Sequence, residues 1–98
     1  MKYKLIIRPE AAAELKDSFM WYEVQNKGLG FEFFRCIDAA LTLINRSPLL
    51  YAEVYKNIRR TLIRKFPFEI FYIIDNDRIV VLAIFHAKRN PKKWQERN

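Results

Sequence analysis

In the opening stretch KYKLIIR, Tyr3, Leu5 and Ile7 fall on one side of an extended segment, and Lys2, Lys4, Ile6 and Arg8 fall on the other. This period of two predicts a first strand. Pro9 suits the first position of a helix, where its missing N–H costs nothing, and the strong helix formers of EAAAELKDSFMWYEVQN follow. Ala11, Leu15, Phe19 and Tyr22 recur at spacings of four and three, an apolar stripe that packs on a core, while Met20 and Trp21 point away from it. Gly28 and Gly30 in NKGLG permit a turn. A second helix is predicted from near Phe31 to Arg46, with Phe33, Phe34, Ile37, Ala40, Leu41 and Ile44 inward. Pro48 ends it by disfavouring helical geometry at Ser47.

Beyond NRSP the period changes. IRRTLIRKF alternates imperfectly, FEIFYII and RIVVLAIF are rich in β-branched and aromatic residues, and DND at residues 75 to 77 reads as a hairpin turn between them. The predicted order is β-α-α-β-β-β, with no repeat, linker or low-complexity tract. The expected fold is a single α+β domain over residues 1 to 98: an N-terminal strand, an antiparallel helix hairpin, and a three-stranded antiparallel sheet covered on one face by the hairpin. The last strands are apolar on both sides, so a partner or the C-terminal segment is expected on the other face.

Ninety-eight residues, 51% of them hydrophobic, suffice for one core without staples. Cys36 is alone and cannot form an internal disulfide, which suits a reducing compartment. The N-terminal stretch carries charges every few residues and has no apolar run near the length of a signal segment or a membrane span, so the expected location is the cytoplasm. Eighteen Lys and Arg against 11 Asp and Glu give a net charge of +7. Such an excess favours an anionic partner, against the plainer reading of charge for solubility.

There is no Gly-rich phosphate loop, no metal-ligand cluster around one Cys and one His, and no Ser-centred elbow, so neither cofactor nor metal is expected. What remains is basic: Arg59, Arg60, Arg64 and Lys65 on one predicted strand, then His86, Lys88, Arg89, Lys92 and Lys93 after the last. If the two strands lie close together, these cations converge on one surface, with Tyr72 and Trp94 available to stack on bases. Such a surface suits metal-free RNA cleavage, in which His86 serves as acid or base and arginines stabilise the phosphorane. The plainer reading makes His86 a hydrogen-bonded structural residue and the arginines a solvated strand face.

The segment IRRTLIRKFPFEIFYIIDNDRIVVLAIFHAKRNPKKW, preceded by a strand, a helix hairpin and SP, resembles the RelE/ParE superfamily of toxins from bacterial toxin-antitoxin modules. The likeness runs from Tyr3 to Trp94. It is carried by the R-R-x-L-x-x-F-P-F entry at residues 59 to 68, the aromatic Tyr72, and the H-x-x-R at His86 and Arg89. The resemblance implies one of two mechanisms: ribosome-dependent cleavage of messenger RNA, as in RelE-like members, or poisoning of DNA gyrase, associated with ParE-like members. Arg60 and Arg89 match the ribonuclease pattern. Phe68 is followed by Glu69 where that branch commonly has an arginine, and Leu62 stands at a place expected to be basic.

A carboxylate beside the scissile phosphate opposes the developing charge by roughly 4 kcal/mol in a partly screened site, several powers of ten in rate. The departure favours the ParE-like branch and a non-catalytic inhibitor. A ribonuclease using His86, Glu69, Arg60 and Arg89 stays as the alternative, since Glu69 could itself act as base. A degenerate, non-toxic module that only binds antitoxin is the third reading. The resemblance further implies a cognate antitoxin with an acidic, amphipathic segment that folds as it binds, forming a hetero-oligomer, and no membrane partner. Arg59, Arg60, Arg64 and Arg89 are the expected target-binding residues, and Met20, Trp21 and Trp94 the candidate protein contacts.

Overall fold

The computed structural model describes residues 3–97, so the outward placement expected of Lys2 lies outside the described residues. The elements are β1 (Lys4–Ile7), α1 (Pro9–Gln25), α2 (Leu29–Arg46), a short 3-10 turn (Pro48–Leu50), β2 (Glu53–Tyr55), β3 (Ile58–Leu62), β4 (Phe68–Asp75), β5 (Arg78–His86) and α3 (Lys92–Gln95). The α+β class and the order of strand, helix hairpin and sheet are those the pattern predicts. The sheet, however, has five strands rather than three, in the order β1-β5-β4-β3-β2. The first strand joins it by lying parallel to β5, with Leu5 opposite Ile79 and Ile7 opposite Val81. The second addition, β2, is only three residues long and too short to show alternation. It turns into β3 through Lys56, which adopts a positive φ of 52° without a glycine to announce it.

Alternation along β4 divides the core into two layers. Ile70, Tyr72 and Ile74 face the hairpin with Ile79, Val81 and Ile84 of β5, packing against Ala11, Phe33, Ile37, Leu41 and Ile44. Phe71 and Ile73 face the other way, with Ile58, Val80, Leu82, Ala83 and Phe85. Leu82 and Ala83 share a face because β5 carries one extra residue opposite the Phe71–Tyr72 step. One inward assignment on α2 is corrected: Phe34 is exposed, since it lies on the outer side of the hairpin beside Phe19 and Phe31. Met20 and Trp21 point outward as expected.

The two helices join through a tight turn whose residues have separate tasks. Gly28 takes φ 90°, a left-handed conformation that starts α2. Glu23, near the end of α1, accepts hydrogen bonds from the N–H groups of Gly28 (2.8 Å) and Gly30 (2.9 Å), satisfying donors that a helix start leaves free. Gly30 is needed for space: a Cβ there would stand 2.5 Å from the Phe19 carbonyl oxygen and 3.0 Å from the Cβ of Glu23. Gly30→Ala is therefore expected to lower stability by about 1–3 kcal/mol through overpacking. Denaturant unfolding reads this directly, and unchanged stability would mean that the helices do not approach so closely.

Candidate functional site

The site residues proposed from the sequence are distributed by strand alternation. Arg60 pairs in register with Phe71, and Glu69 with Phe85, so all four lie on the sheet face away from the hairpin. Arg60 reaches Glu69 across the strands at 3.2 Å, and its side chain stays 45% exposed. Arg89, in the turn after β5, stacks its guanidinium 4.1 Å from the Phe85 ring and meets Glu14 at 3.5 Å. Arg60 and Arg89 thus share a face, as expected, but each has a carboxylate beside it.

Arg59 does not join them. It faces the hairpin side in register with Tyr72, and its guanidinium donates to the carbonyls of Tyr51 and Leu49 and to the Glu53 carboxylate. It serves to fix the β2 segment. Arg64 and Lys65 are corrected too: β3 ends at Leu62, and both fall in the turn that follows, where Lys65 takes φ 70°. Lys65 donates to Glu32 of α2 at 2.9 Å. That bond holds the Glu32 carboxyl below the usual carboxylate range and raises the Lys65 ammonium.

The pairing of His86 with Glu69 is overturned by the same alternation. His86 is opposite Phe68 and leans on its ring at 5.3 Å, on the hairpin side, whereas Glu69 points to the other face. The sheet itself separates the two groups. His86 Nδ1 accepts the N–H of Lys88 at 3.1 Å, so the neutral ring carries its proton on Nε2. The ring also borders a cavity of about 260 Å³ lined by Ser18, Trp21, Tyr22 and Phe68.

Neither stacking aromatic is available. Trp94 of α3 is buried beneath the sheet, its ring 4.0 Å from Phe71 and tilted by 15°. It therefore covers the face rather than offering a contact, correcting its place among candidate protein contacts. Tyr72 is buried on the hairpin side and donates its hydroxyl to the Pro48 carbonyl at 2.6 Å.

The clasp that holds α3 was not read from the sequence. Glu14 of α1 accepts the Ile84 N–H at 3.0 Å and takes both guanidinium nitrogens of Arg97, at 2.9 and 2.8 Å. Arg97 also donates to the Leu82 carbonyl at 3.0 Å and lies 4.9 Å from the Phe85 ring. One signal was present: Glu14 follows buried Ala11 by three positions, so a carboxylate on the inward stripe needed a partner.

A wide concavity lies elsewhere, a groove of about 670 Å³ between α2 and the outer edge of β3. Cys36, Ala39, Ala40 and Leu43 supply one wall, Thr61, Leu62 and Ile63 the other, and Arg35 and Arg64 stand on its rim. Among the described residues no group of three or more His, Cys, Asp or Glu could hold a metal ion, and no helix is long and apolar enough to cross a membrane.

The architecture is an α+β fold whose second sheet face is closed by its own C-terminal helix. The family model "ParE toxin of type II toxin-antitoxin system, parDE" matches residues 5–91, and the chain belongs to that family. Its fold is similar to a chain of the "Chromosomal ParDE TA system from P. aeruginosa", at a TM-score of 0.78 and 17% identity, covering 87% of this chain and 96% of that one. No curated protein sequence matches significantly.

Burial pushes the Tyr72 hydroxyl up to about 12, against an ordinary value of 10. A phenol whose folded value is raised contributes stability that is complete below pH 10 and is lost as pH rises toward 12. Tyr72→Phe, which loses the bond to Pro48, is expected to be less stable by about 1 kcal/mol at pH 8. The difference from the parent should shrink between pH 10 and 12, measured by urea unfolding at each pH. A constant gap across that range would show that the hydroxyl titrates normally.

Proposed function

We propose that this ParE-family chain halts growth by binding DNA gyrase in the cytoplasm, without turnover, and that a cognate antitoxin neutralises it. The single observation that carries this reading is the separation of His86 and Glu69 by the sheet, which leaves no acid-base pair facing one phosphate. The seating of Trp94 on Phe71 supports it, because the aromatic surface on which a base would stack is already covered. The Arg60–Glu69 pair adds to this, since the carboxylate offsets the charge that a phosphorane needs.

A binder needs accessible charge rather than a reaction centre. Arg60 and Arg89 keep about half of their side chains exposed on one face, and Arg64 has no carboxylate within ion-pair distance among the described residues. These three are the target-binding residues we propose, with Met20 and Trp21 as a protein contact. Arg59 drops out of that set because its guanidinium is committed to the β2 segment.

The test is induction in cells combined with purified protein. Blocked replication with an SOS response, and loss of gyrase-dependent supercoiling in vitro, are expected. His86→Ala and Glu69→Ala should leave toxicity within about threefold of the parent, as no catalytic pair is removed. Replacing Arg60 and Arg89 together by Ala should abolish toxicity while the circular dichroism spectrum is kept. Codon-positioned messenger RNA cuts lost in His86→Ala would instead establish the ribonuclease, and normal growth on induction would establish an inert antitoxin-binding module.

A further inference from the structure

The outer side of the helix hairpin carries aromatic surface that no described element covers. Phe31 is 55% exposed and Phe34 46%, and Phe31 meets Phe19 of α1 edge to face at 4.8 Å, so both helices contribute to one apolar patch. A hollow of about 410 Å³ opens there among Ala12, Leu15, Phe19, Phe31 and Phe34, and Lys16 is its one charged member. A second hollow of about 300 Å³ lies between α2 and β1, with Leu5, Ile7 and Leu41 in its walls and Asp38 as its one charged member. Leu15 and Phe34 border both, so the two hollows are neighbours on either side of a common wall.

In a chain of net charge +7, this patch holds one charge of each sign. Lys16 and Asp38 are both exposed, and neither has an opposite charge within ion-pair distance among the described residues. A surface with its cation and its anion on opposite sides of an apolar wall matches itself. A two-fold axis lying along that wall turns the first hollow of one copy over the second hollow of the other. Phe34 then stands beside its own equivalent, and Lys16 of each copy faces Asp38 of the other. The groove beside β3 has no such symmetry of sign. Leu62 is 64% exposed there, on an edge that β2 covers only as far as Arg59, but Arg35 and Arg64 border it, and a second copy would set cation against cation.

We propose that the free chain forms a two-fold dimer through the outer side of its helix hairpin, with Phe34 at the centre and two Lys16–Asp38 pairs at the rim. The apolar hollows supply the buried surface, and the pairs fix which orientation of the second copy is accepted. The dimer is independent of the gyrase reading. The sheet face that holds Arg60 and Arg89 is turned away from the hairpin and stays open in both copies.

Sedimentation equilibrium of the full chain over a concentration series is the test, and a monomer–dimer equilibrium is expected for the parent. Lys16→Glu and Asp38→Lys each set like charges together twice in the dimer. Each is expected to raise the dissociation constant roughly tenfold or more while keeping the parent's thermal midpoint, since both side chains are exposed. The decisive arm mixes the two variants. One copy of each restores opposite charges at both rim contacts, so the equimolar mixture is expected to dimerise within about threefold of the parent, a rescue that a merely structural defect could not produce. A parent that stays monomeric up to about 1 mM overturns the inference, and loss of gyrase binding in Phe34→Asp would then give the face to the proposed target. A dimer indifferent to both reversals, or a mixture no better than its components, also overturns it and moves the contact to another surface, the β3 edge if Leu62→Pro disperses the dimer.

Discussion

The edge of β5 outruns its neighbour: β1 stops opposite Val81, and β5 continues to His86. Backbone groups left bare there would each cost about 1–3 kcal/mol where water is excluded. Glu14 and Arg97 supply the missing partners, one accepting from Ile84 and the other donating to Leu82, and the two side chains lock to each other through paired charge-assisted bonds. Holding Arg97 at that edge draws the preceding residues under the sheet and seats Trp94 on Phe71. The second apolar layer is thereby closed by the chain itself.

With that face covered, the excess of cations has a different meaning from the one composition suggests. Arg59, Arg60, Lys65, Arg78, Arg89 and Arg97, six of the 18 Lys and Arg, each have a carboxylate within ion-pair distance, so a third of the cations are locally balanced. Exposed pairs of this kind contribute little to stability, but they do cancel the field that a polyanion would sense. The cations without such a partner among the described residues are spread over the molecule: Arg35 and Arg64 border the groove, and Lys92 and Lys93 lie on the helix that covers the second face.

The helices, their limits at Pro9 and Pro48, the turn at Gly28 and the hairpin at residues 75 to 77 were legible because each is fixed within a few residues by period or by backbone restriction. The family was legible for a related reason, since its motifs sit on those local elements. What escaped depends on pairing between distant segments. Whether His86 and Glu69 share a face is decided by the register of β4 on β5, and the partner of Glu14 lies 83 residues further along the chain. β2 escaped because three residues cannot display a period, and Arg59 was misplaced because a strand residue's side cannot be known before its partner strand is. Phe34 shows the converse limit: a wide apolar helix face does not say which of its members the second helix will leave in solvent.

A bare strand edge is ordinarily an invitation to self-association, and natural sheets guard against it with charge. Here the guards are Arg64 and Lys65 directly after β3 and Arg35 across the groove. Two copies of this chain brought edge to edge would bring those like charges together, on molecules that each carry a net +7. The same charges that disfavour a second copy would favour an anionic segment over a neutral one in that position. The exposed Leu62 side chain is thus guarded by the cationic side chains around it rather than by a covering strand.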